Sequence, residues 1–187
     1  SAFTNVTATA LTTEAANTYW RIGGNNGVAA NRYIGTTDYQ PIELRVNNSP
    51  ALKVLPTTQN WPNLVSGAAD NYIVTGVTAS SVTGGKGNGI STISGSSVVA
   101  GGNSNVIGPN SAGSFIGGGT QQILGDGSVR SVITGGWSNF IGGDTRGDAQ
   151  PVSQDITDGT SNTVIVGEIP PGNSFIGGGW SNRVGVN

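Results

Sequence analysis

The sequence predicts an all-β fold: a narrow parallel β-solenoid, or β-roll, preceded by a small β-hairpin module and assembled as an intertwined homotrimer. One phrase recurs at 17-residue spacing, and each copy contains two pairs of apolar residues. Glycine supplies 32 of the 187 residues, and only 10% of the residues are charged, against about 25% in an average domain. This composition suits short strands joined by many tight turns.

The N-terminal part of the chain, residues 1–60, does not follow the repeat, and its clearest element is a predicted β-hairpin. In residues 41–56, apolar and charged residues alternate on both sides of Asn47-Asn48-Ser49-Pro50, which is a turn signal. Glu43 and Lys53 then face each other across the strands as an exposed pair that contributes little stability. We therefore predict a hairpin connector module over residues 1–60.

The repeat predicts a Gly-rich β-roll domain over residues 61–187. Copies of the phrase begin at Ser97, Ser114 and Ser131, and a fourth begins at Ser174. Within them the apolar pairs alternate at eight- and nine-residue spacing, which is too short for a helix but fits a short strand and a tight turn. Glycine clusters and the Asn-Ser-Asn and Trp-Ser-Asn triplets supply turn residues, because Gly and Asn tolerate positive φ.

Side-chain direction predicts the oligomeric state. Successive residues of a strand point to opposite faces, so one member of each apolar pair enters the coil and the other leaves it. The outward row would form an apolar stripe, and burying each such side chain contributes about 1.5–3 kcal/mol. Three chains around a common axis would cover the stripe, and a homotrimer is therefore expected. A flatter two-layer roll that buries both rows within one chain is the alternative.

Residues 143–173 interrupt the repeat and concentrate charge and proline, which predicts a loop projecting from the shaft. Loops on rigid scaffolds often carry recognition. Arg146 and Asp148 belong to an Arg-Gly-Asp tripeptide, the motif that integrins bind, and they are candidate ligand-binding residues. A solvated loop explains the same residues.

Three oxygen-bearing side chains in this segment form a candidate Ca²⁺ site. Asp155, Asp158 and Asn162 offer hard oxygen ligands, although their spacing misses the Ca²⁺-loop templates. The pair Asp155 and Asp158 would also suit glycoside hydrolysis, which needs two carboxylates at a defined separation. Ordinary turn chemistry is the competing explanation, and no cofactor is otherwise expected.

Two tryptophans occupy equivalent turn positions in two copies of the repeat. Trp137 and Trp180 each follow a glycine pair. A tryptophan there either lies on the surface and contacts a ligand such as a sugar ring, or caps the aliphatic row beneath it. Both interpretations predict a partly apolar environment, so both remain open at this point.

Composition argues against several classes of function. The net charge of −2 and the eight scattered Lys and Arg residues provide no basic field for nucleic acid. No apolar run approaches the roughly 20 residues that cross a bilayer, so membrane insertion is not expected. The chain contains no His, which leaves neither a histidine-based triad nor a histidine metal site, so any catalysis would have to use carboxylates. We therefore expect a protein that is not an enzyme.

Two stretches carry a resemblance to known proteins. Residues 19–56 resemble a module found upstream of Gly-rich repeats in bacterial and phage fibre-like proteins. The repeats that begin at Ser114 and Ser174 resemble the head repeats of trimeric autotransporter adhesins and of phage tail fibres. This resemblance implies a homotrimeric left-handed parallel β-roll used for attachment. The 17-residue repeat is longer than usual for such heads, and residues 143–173 depart from the pattern.

The sequence as a whole predicts a non-catalytic trimeric attachment fibre segment. It would be extracellular, either on a virion tail or on a bacterial cell surface, and would project a surface toward a glycan or protein receptor. A structural subunit of an extracellular filament is the alternative. A polysaccharide-degrading tailspike is less favoured, because the repeat is nearly free of carboxylates outside residues 143–173.

Overall fold

A computed structural model describes residues 33–142 of the chain and four strands beyond them, at 154–156, 163–165, 174–176 and 183–184. Contacts divide the chain into two units, 1–37 and 38–187. The strands lie in the second unit and form two sheets, and the described residues contain no helix. Accordingly, no helix in this part of the chain is long and apolar enough to span a membrane.

Among the described residues, nine strands form sheet A and seven form sheet B. Sheet A contains, in spatial order, β1 (Ile42–Val46), β2 (Ser49–Leu55), β3 (Asn63–Ser66), β5 (Ser81–Val82), β7 (Val98–Val99), β9 (Phe115–Ile116), β11 (Val132–Ile133), β13 (Gln154–Ile156) and β15 (Ser174–Ile176). Sheet B contains β4 (Tyr72–Ile73), β6 (Gly89–Ile90), β8 (Val106–Ile107), β10 (Ile123–Leu124), β12 (Phe140–Gly142), β14 (Thr163–Ile165) and β16 (Arg183–Val184).

The predicted hairpin is confirmed as β1 and β2. Asn47 and Asn48 connect the strands with φ values of 47° and 60°, the backbone that a two-residue hairpin turn requires and that Asn tolerates. The register places Glu43 opposite Lys53, as expected. Strand β2 also pairs antiparallel with β3, so the hairpin extends sheet A at the start of the solenoid.

From β3 onward the chain alternates between the two sheets, and the strands of successive coils pair in parallel. Each coil contributes one strand to each sheet. Val65 pairs with Val82 in sheet A, and Ile73 pairs with Ile90 in sheet B, one repeat further along the chain in both cases. The predicted β-solenoid with two short strands per coil is therefore confirmed.

The second residue of each apolar pair forms the core. In sheet A this inner row consists of Val65, Val82, Val99, Ile116 and Ile133, and in sheet B of Ile73, Ile90, Ile107, Leu124 and Ile141. All are buried, and from the second coil onward their exposure is 0%. The first residue of each pair points outward, so the two-layer alternative with both rows buried in one chain is wrong.

A ladder of buried amide side chains accompanies the inner row of sheet B. Its members are Asn71, Asn88, Asn105, Gln122 and Asn139. The side-chain oxygen of Asn105 accepts the backbone N–H of Gln122 at 2.9 Å, one coil further on. Its amide nitrogen donates to the carbonyls of Gly101 and Gly119, at 2.8 and 3.1 Å. Each amide therefore satisfies backbone groups of two coils that would otherwise be buried without partners.

Two ladders of buried serines perform the same task at the other corners. One contains Ser80, Ser97, Ser114 and Ser131, and the other contains Ser94, Ser111 and Ser128. In each, the backbone N–H of one serine donates to the Oγ of the equivalent serine one coil earlier, at 3.1 Å. The interior is consequently two aliphatic rows flanked by three polar rows.

The sequence predicted that Asn takes the left-handed conformation in the turn triplets 103–105 and 137–139, and the structure differs. Ser104 and Ser138 both have φ of 57°, and Gln121 has φ of 58°. The asparagines that follow, Asn105 and Asn139, are fully buried in the amide ladder. The left-handed position therefore belongs to the middle residue of the triplet, and the last residue is part of the core.

Residues 143–173, predicted to project as one loop, contribute two strands to the solenoid. Strand β13 pairs with β11 and β15, and β14 pairs with β12 and β16. The register aligns Ile133 with Ile156, a wider spacing along the chain than that between Ile116 and Ile133 in the preceding step. The repeat thus continues through this segment with a longer coil, and the residues between these strands lie outside the described part of the chain.

Candidate functional site

The outer faces of the two sheets are the main candidate binding surfaces. The outward row of sheet A contains Leu64, Ser81, Val98, Phe115 and Val132, and that of sheet B contains Tyr72, Gly89, Val106, Ile123 and Phe140, as the strand register aligns them. Phe115 is 37% exposed, Ile123 41% and Tyr72 42%. Both faces therefore present apolar side chains in single file along the solenoid.

Glycines flatten the outer face of sheet B. A Cβ placed on Gly89 would stand 2.1 Å from Cζ of Tyr72, so the tyrosine ring lies directly over that glycine. A Cβ on Gly125 would stand 3.2 Å from Cζ of Phe140. The aromatic rings lie on the neighbouring coils because glycine leaves room for them, which makes this face smooth and apolar.

Neither outer face carries a charge in residues 61–142. The charged residues of this stretch are Asp70, Lys86, Asp126 and Arg130, and none of them lies in a strand. Both carboxylates have structural partners: Asp70 accepts the N–H of Gly87 at 3.2 Å, and Asp126 accepts the side-chain amide of Asn110 at 2.8 Å. Large uncharged apolar faces rimmed by polar turns are typical of protein interaction surfaces.

One corner of the solenoid carries a ridge of exposed and half-buried side chains. Lys86, Asn103, Thr120 and Trp137 align one coil apart through parallel bridges. Trp137 is 54% exposed, and its indole N–H donates to Oε1 of Gln121 at 3.3 Å. It therefore lies on the surface and does not cap the aliphatic rows. The fixed, accessible ring suits stacking against a planar or pyranose ligand.

The other residues singled out in the sequence are not brought together in the described structure. Asp155 lies in β13, paired in register with Val132 and Phe175. Arg146, Asp148, Asp158, Asn162 and Trp180 fall outside the described residues. Within the described part of the chain, no group of three or more acidic side chains is placed to hold a metal ion.

A small ion cluster lies on the hairpin. Arg45 Nε donates to Oε2 of Glu43 at 2.6 Å, and Lys53 Nζ lies 3.5 Å from Oε1 of the same carboxylate. The hydrogen bond from Arg45 lowers the pKa of Glu43, and the nearby positive charges act in the same direction. The stability that this cluster contributes is present at pH values above the ordinary pKa of Glu, and it is lost as the pH falls through the lowered pKa of Glu43. Its exposure keeps the effect small.

Sequence reasoning missed a cavity at the start of the solenoid. Its volume is about 330 Å³, within the range of small-ligand pockets. Ile73 and Val77 line it on the solenoid side, and Leu55, Pro56 and Tyr39 lie around it. The signal was present in the sequence, because position 77 carries Val where the next coils carry Ser94 and Ser111.

Comparison with known proteins gives no relative for this chain. No protein-family model matches it, and neither a curated protein nor a solved structure shows significant similarity.

Proposed function

We propose that the chain is a non-catalytic segment of an extracellular attachment fibre, of the kind found in phage tail fibres or bacterial surface adhesins, and that it works as a homotrimer. The observation that carries the proposal is the pair of apolar outer faces, uncharged over residues 61–142. Exposed Tyr72, Phe115 and Ile123 lie on these faces. Packing of three chains side by side would remove these side chains from water.

The energetics favour lateral association. Each aliphatic or aromatic side chain removed from water contributes about 1.5–3 kcal/mol, and the outward rows recur in successive coils. Over residues 61–142 no charged group on these faces has to be desolvated, and buried charges would have opposed the association. Repeated contacts of this kind along both faces would offset the entropy that three associating chains lose.

Two properties of the trimer would provide attachment: the stiffness of the solenoid and the presence of three copies of each contact surface. The solenoid would serve as a stiff shaft, and the ridge with Trp137 would lie on its outside in three copies. Three weak contacts acting together gain avidity through effective concentration, without any strong single contact. The receptor would be a glycan or protein of a cell surface, and the residues between the strands of segment 143–173 are the second candidate contact.

The test compares binding to cell surfaces by the wild-type trimer and by a variant whose substitution disrupts trimer formation. Wild-type protein, the Ile123→Lys variant and the Thr92→Lys variant are applied to whole bacterial cells and to an array of bacterial surface polysaccharides. Ile123→Lys places a charge on the outer face without removing a core residue. Thr92→Lys is the matched control, because Thr92 is exposed, lies in no strand and is outside the ridge that carries Trp137.

We expect wild type and Thr92→Lys to bind one of these surfaces equally, and Ile123→Lys to lose most of the binding as it loses avidity. Absence of binding by wild type to every surface would overturn the attachment function. Release of reducing sugar from the polysaccharides would replace it with the tailspike alternative.

A second candidate, the structural filament subunit, is favoured by one observation. The cavity at the start of the solenoid lies beside β4, the first strand of sheet B. A filament would use the ends of the solenoid, whereas an attachment fibre would use its sides.

A further inference from the structure

The strand register shows which side of sheet A the apolar residues of the hairpin occupy. Lys53 lies opposite Val65 in the pairing of β2 with β3, and Val65 belongs to the inner row. Residues directly opposite each other on paired strands project from the same side of a sheet. Lys53 and its cross-strand partner Glu43 therefore lie on the inner side of sheet A. The apolar residues that alternate with them lie on the outer side.

This orientation makes the hairpin part of the outer face of sheet A. Seven strands contribute one outward residue each to a single file, in the order Ile42, Val54, Leu64, Ser81, Val98, Phe115 and Val132. Leu44 and Leu52 lie opposite each other beside this file. At about 4.8 Å between strands, the file is roughly 30 Å long. The apolar face of the coils therefore continues across β2 and β1.

The two sides of the hairpin are exposed in the reverse of the order that a single chain in water favours. Leu44 and Val46 are 58% and 69% exposed, whereas the side chains of Glu43 and Lys53 are 26% and 31% exposed. Arg45 lies on the same side as Glu43, because its Nε donates to the Glu43 carboxylate at 2.6 Å. An apolar face that is more open to water than the charged face of the same hairpin is typical of a surface that a partner covers.

We propose that the apolar side of the hairpin packs against the hairpins of the other copies, and that it belongs to the interface that covers the outer face of sheet A. The proposal rests on the homotrimer proposed above. In a trimer whose three-fold axis runs along the solenoid, equivalent residues of the three chains lie at the same height. Each hairpin then meets the other two, and Leu44 and Val46 leave the water around the axis.

The size of the apolar surface supports a second copy as its occupant. The hairpin strands are five and seven residues long, so at about 3.3 Å per residue they present roughly 200 Å². The four coil strands β5, β7, β9 and β11 have two residues each, and with their flanking residues they present a similar area of roughly 250 Å². A specific interface buries about 800 Å² per partner. The hairpin thus nearly doubles the contribution of these coils toward that area.

The charge distribution on the hairpin agrees with this packing. The outward residues of β1 are Ile42, Leu44 and Val46, and those of β2 include Leu52 and Val54. None of them is charged, so no charge has to be desolvated when this side is covered. The hairpin's charged residues remain on the inner side, away from the proposed contact.

The first experiment uses single cysteines, because the chain contains no cysteine of its own. Leu44→Cys and Arg45→Cys place a thiol at neighbouring positions of β1, on the outer side and on the inner side. Each variant is treated at low protein concentration with a short bismaleimide reagent, which links two thiols that lie close together. Denaturing electrophoresis then separates the products. We expect mostly covalent dimers from Leu44→Cys, since one reagent joins two of the three chains, and mostly single chains from Arg45→Cys.

The second experiment compares the molar mass of wild type, Leu44→Lys and Gln59→Lys by light scattering during dilution. Gln59 is exposed and lies in a turn after β2, so its variant adds the same charge near the hairpin but away from the apolar side. We expect Leu44→Lys to dissociate at a protein concentration about tenfold or more above that of wild type, and Gln59→Lys to behave as wild type. Circular dichroism of all three should agree, because Leu44 is outside the core.

The outcomes separate the hairpin contact from the trimer itself. A trimer in which Leu44→Cys is linked no better than Arg45→Cys would overturn the hairpin contact and leave the trimer standing. Equal dissociation of the two lysine variants would do the same. A wild-type protein that is monomeric at every concentration would overturn the trimer and the hairpin contact together.

Discussion

Left-handed backbone positions recur at the same places in successive coils, and the residues that occupy them differ in how well they suit that backbone. One such position carries Gly76 in the first coil, Ile93 in the second, Asn110 in the third and Gly127 in the fourth, with φ of 94°, 56°, 52° and 74°. Ile is β-branched, and its Cβ crowds the following carbonyl in this conformation. Ile93 is also 71% exposed, so no packing offsets the strain.

We predict that Ile93→Gly stabilises the protein by about 0.5–1 kcal/mol. Relief of the left-handed strain, about 1–2 kcal/mol, exceeds the backbone entropy that glycine costs. Thermal unfolding should show a rise of about 2–4 °C. Ser91→Gly, two residues earlier and outside the left-handed positions, is the control and should lower the melting temperature. A melting temperature for Ile93→Gly below that of wild type would contradict the strain argument.

We predict that Gly102→Ala destabilises by about 3 kcal/mol or more. Gly102 has φ of 86°, and an added Cβ would lie 2.2 Å from the carbonyl oxygen of Gly119 in the next coil. Gly135→Ala is the matched control, since a Cβ there meets nothing within 4 Å. Denaturant unfolding of the two variants should differ widely, and equal stabilities would show that the coils do not approach as closely as described.

At the scale of the element, strands of two residues are too short to be stable alone, and the polar ladders hold them together. The aliphatic rows were predictable from the eight- and nine-residue spacing, because each pair alternates inward and outward. The ladders were harder to predict, since Ser and Asn beside glycine are also ordinary turn residues. Their recurrence once per repeat, as in Ser97 and Ser114 or Asn105 and Gln122, was the signal that separates a buried ladder from a turn.

We predict that Asn105→Ala costs about 2–4 kcal/mol, because one backbone N–H and two carbonyls lose their buried partner. Hydrogen exchange gives the sharper readout: the amide of Gln122 should exchange much faster in the variant. Asn103→Ala, at an exposed position two residues earlier, should change stability by less than about 0.5 kcal/mol. Unchanged protection of the Gln122 amide would contradict the ladder.

At the scale of the whole molecule, the hairpin, the repeating coil and the outward apolar rows were all predictable, because periodicity and strand alternation determine them. The continuation of the sheets through segment 143–173 was only partly predictable. Its strand at 163–165 kept the apolar pattern, whereas β13, with the sequence Gln-Asp-Ile, did not. The cavity beside β4 had one signal in the sequence, Val77 at a position where the next coils carry Ser94 and Ser111. Periodicity alone does not show that residues beside the hairpin enclose it.

The most direct test of the account is the absolute molar mass of the unmodified protein at low concentration, measured by light scattering with and without mild detergent. Three chains packed through their outer faces predict a mass close to three times the 18.8 kDa of the single chain, retained in mild detergent. A stable single-chain mass under both conditions would contradict the account, because the exposed apolar rows of both sheets would then remain in water.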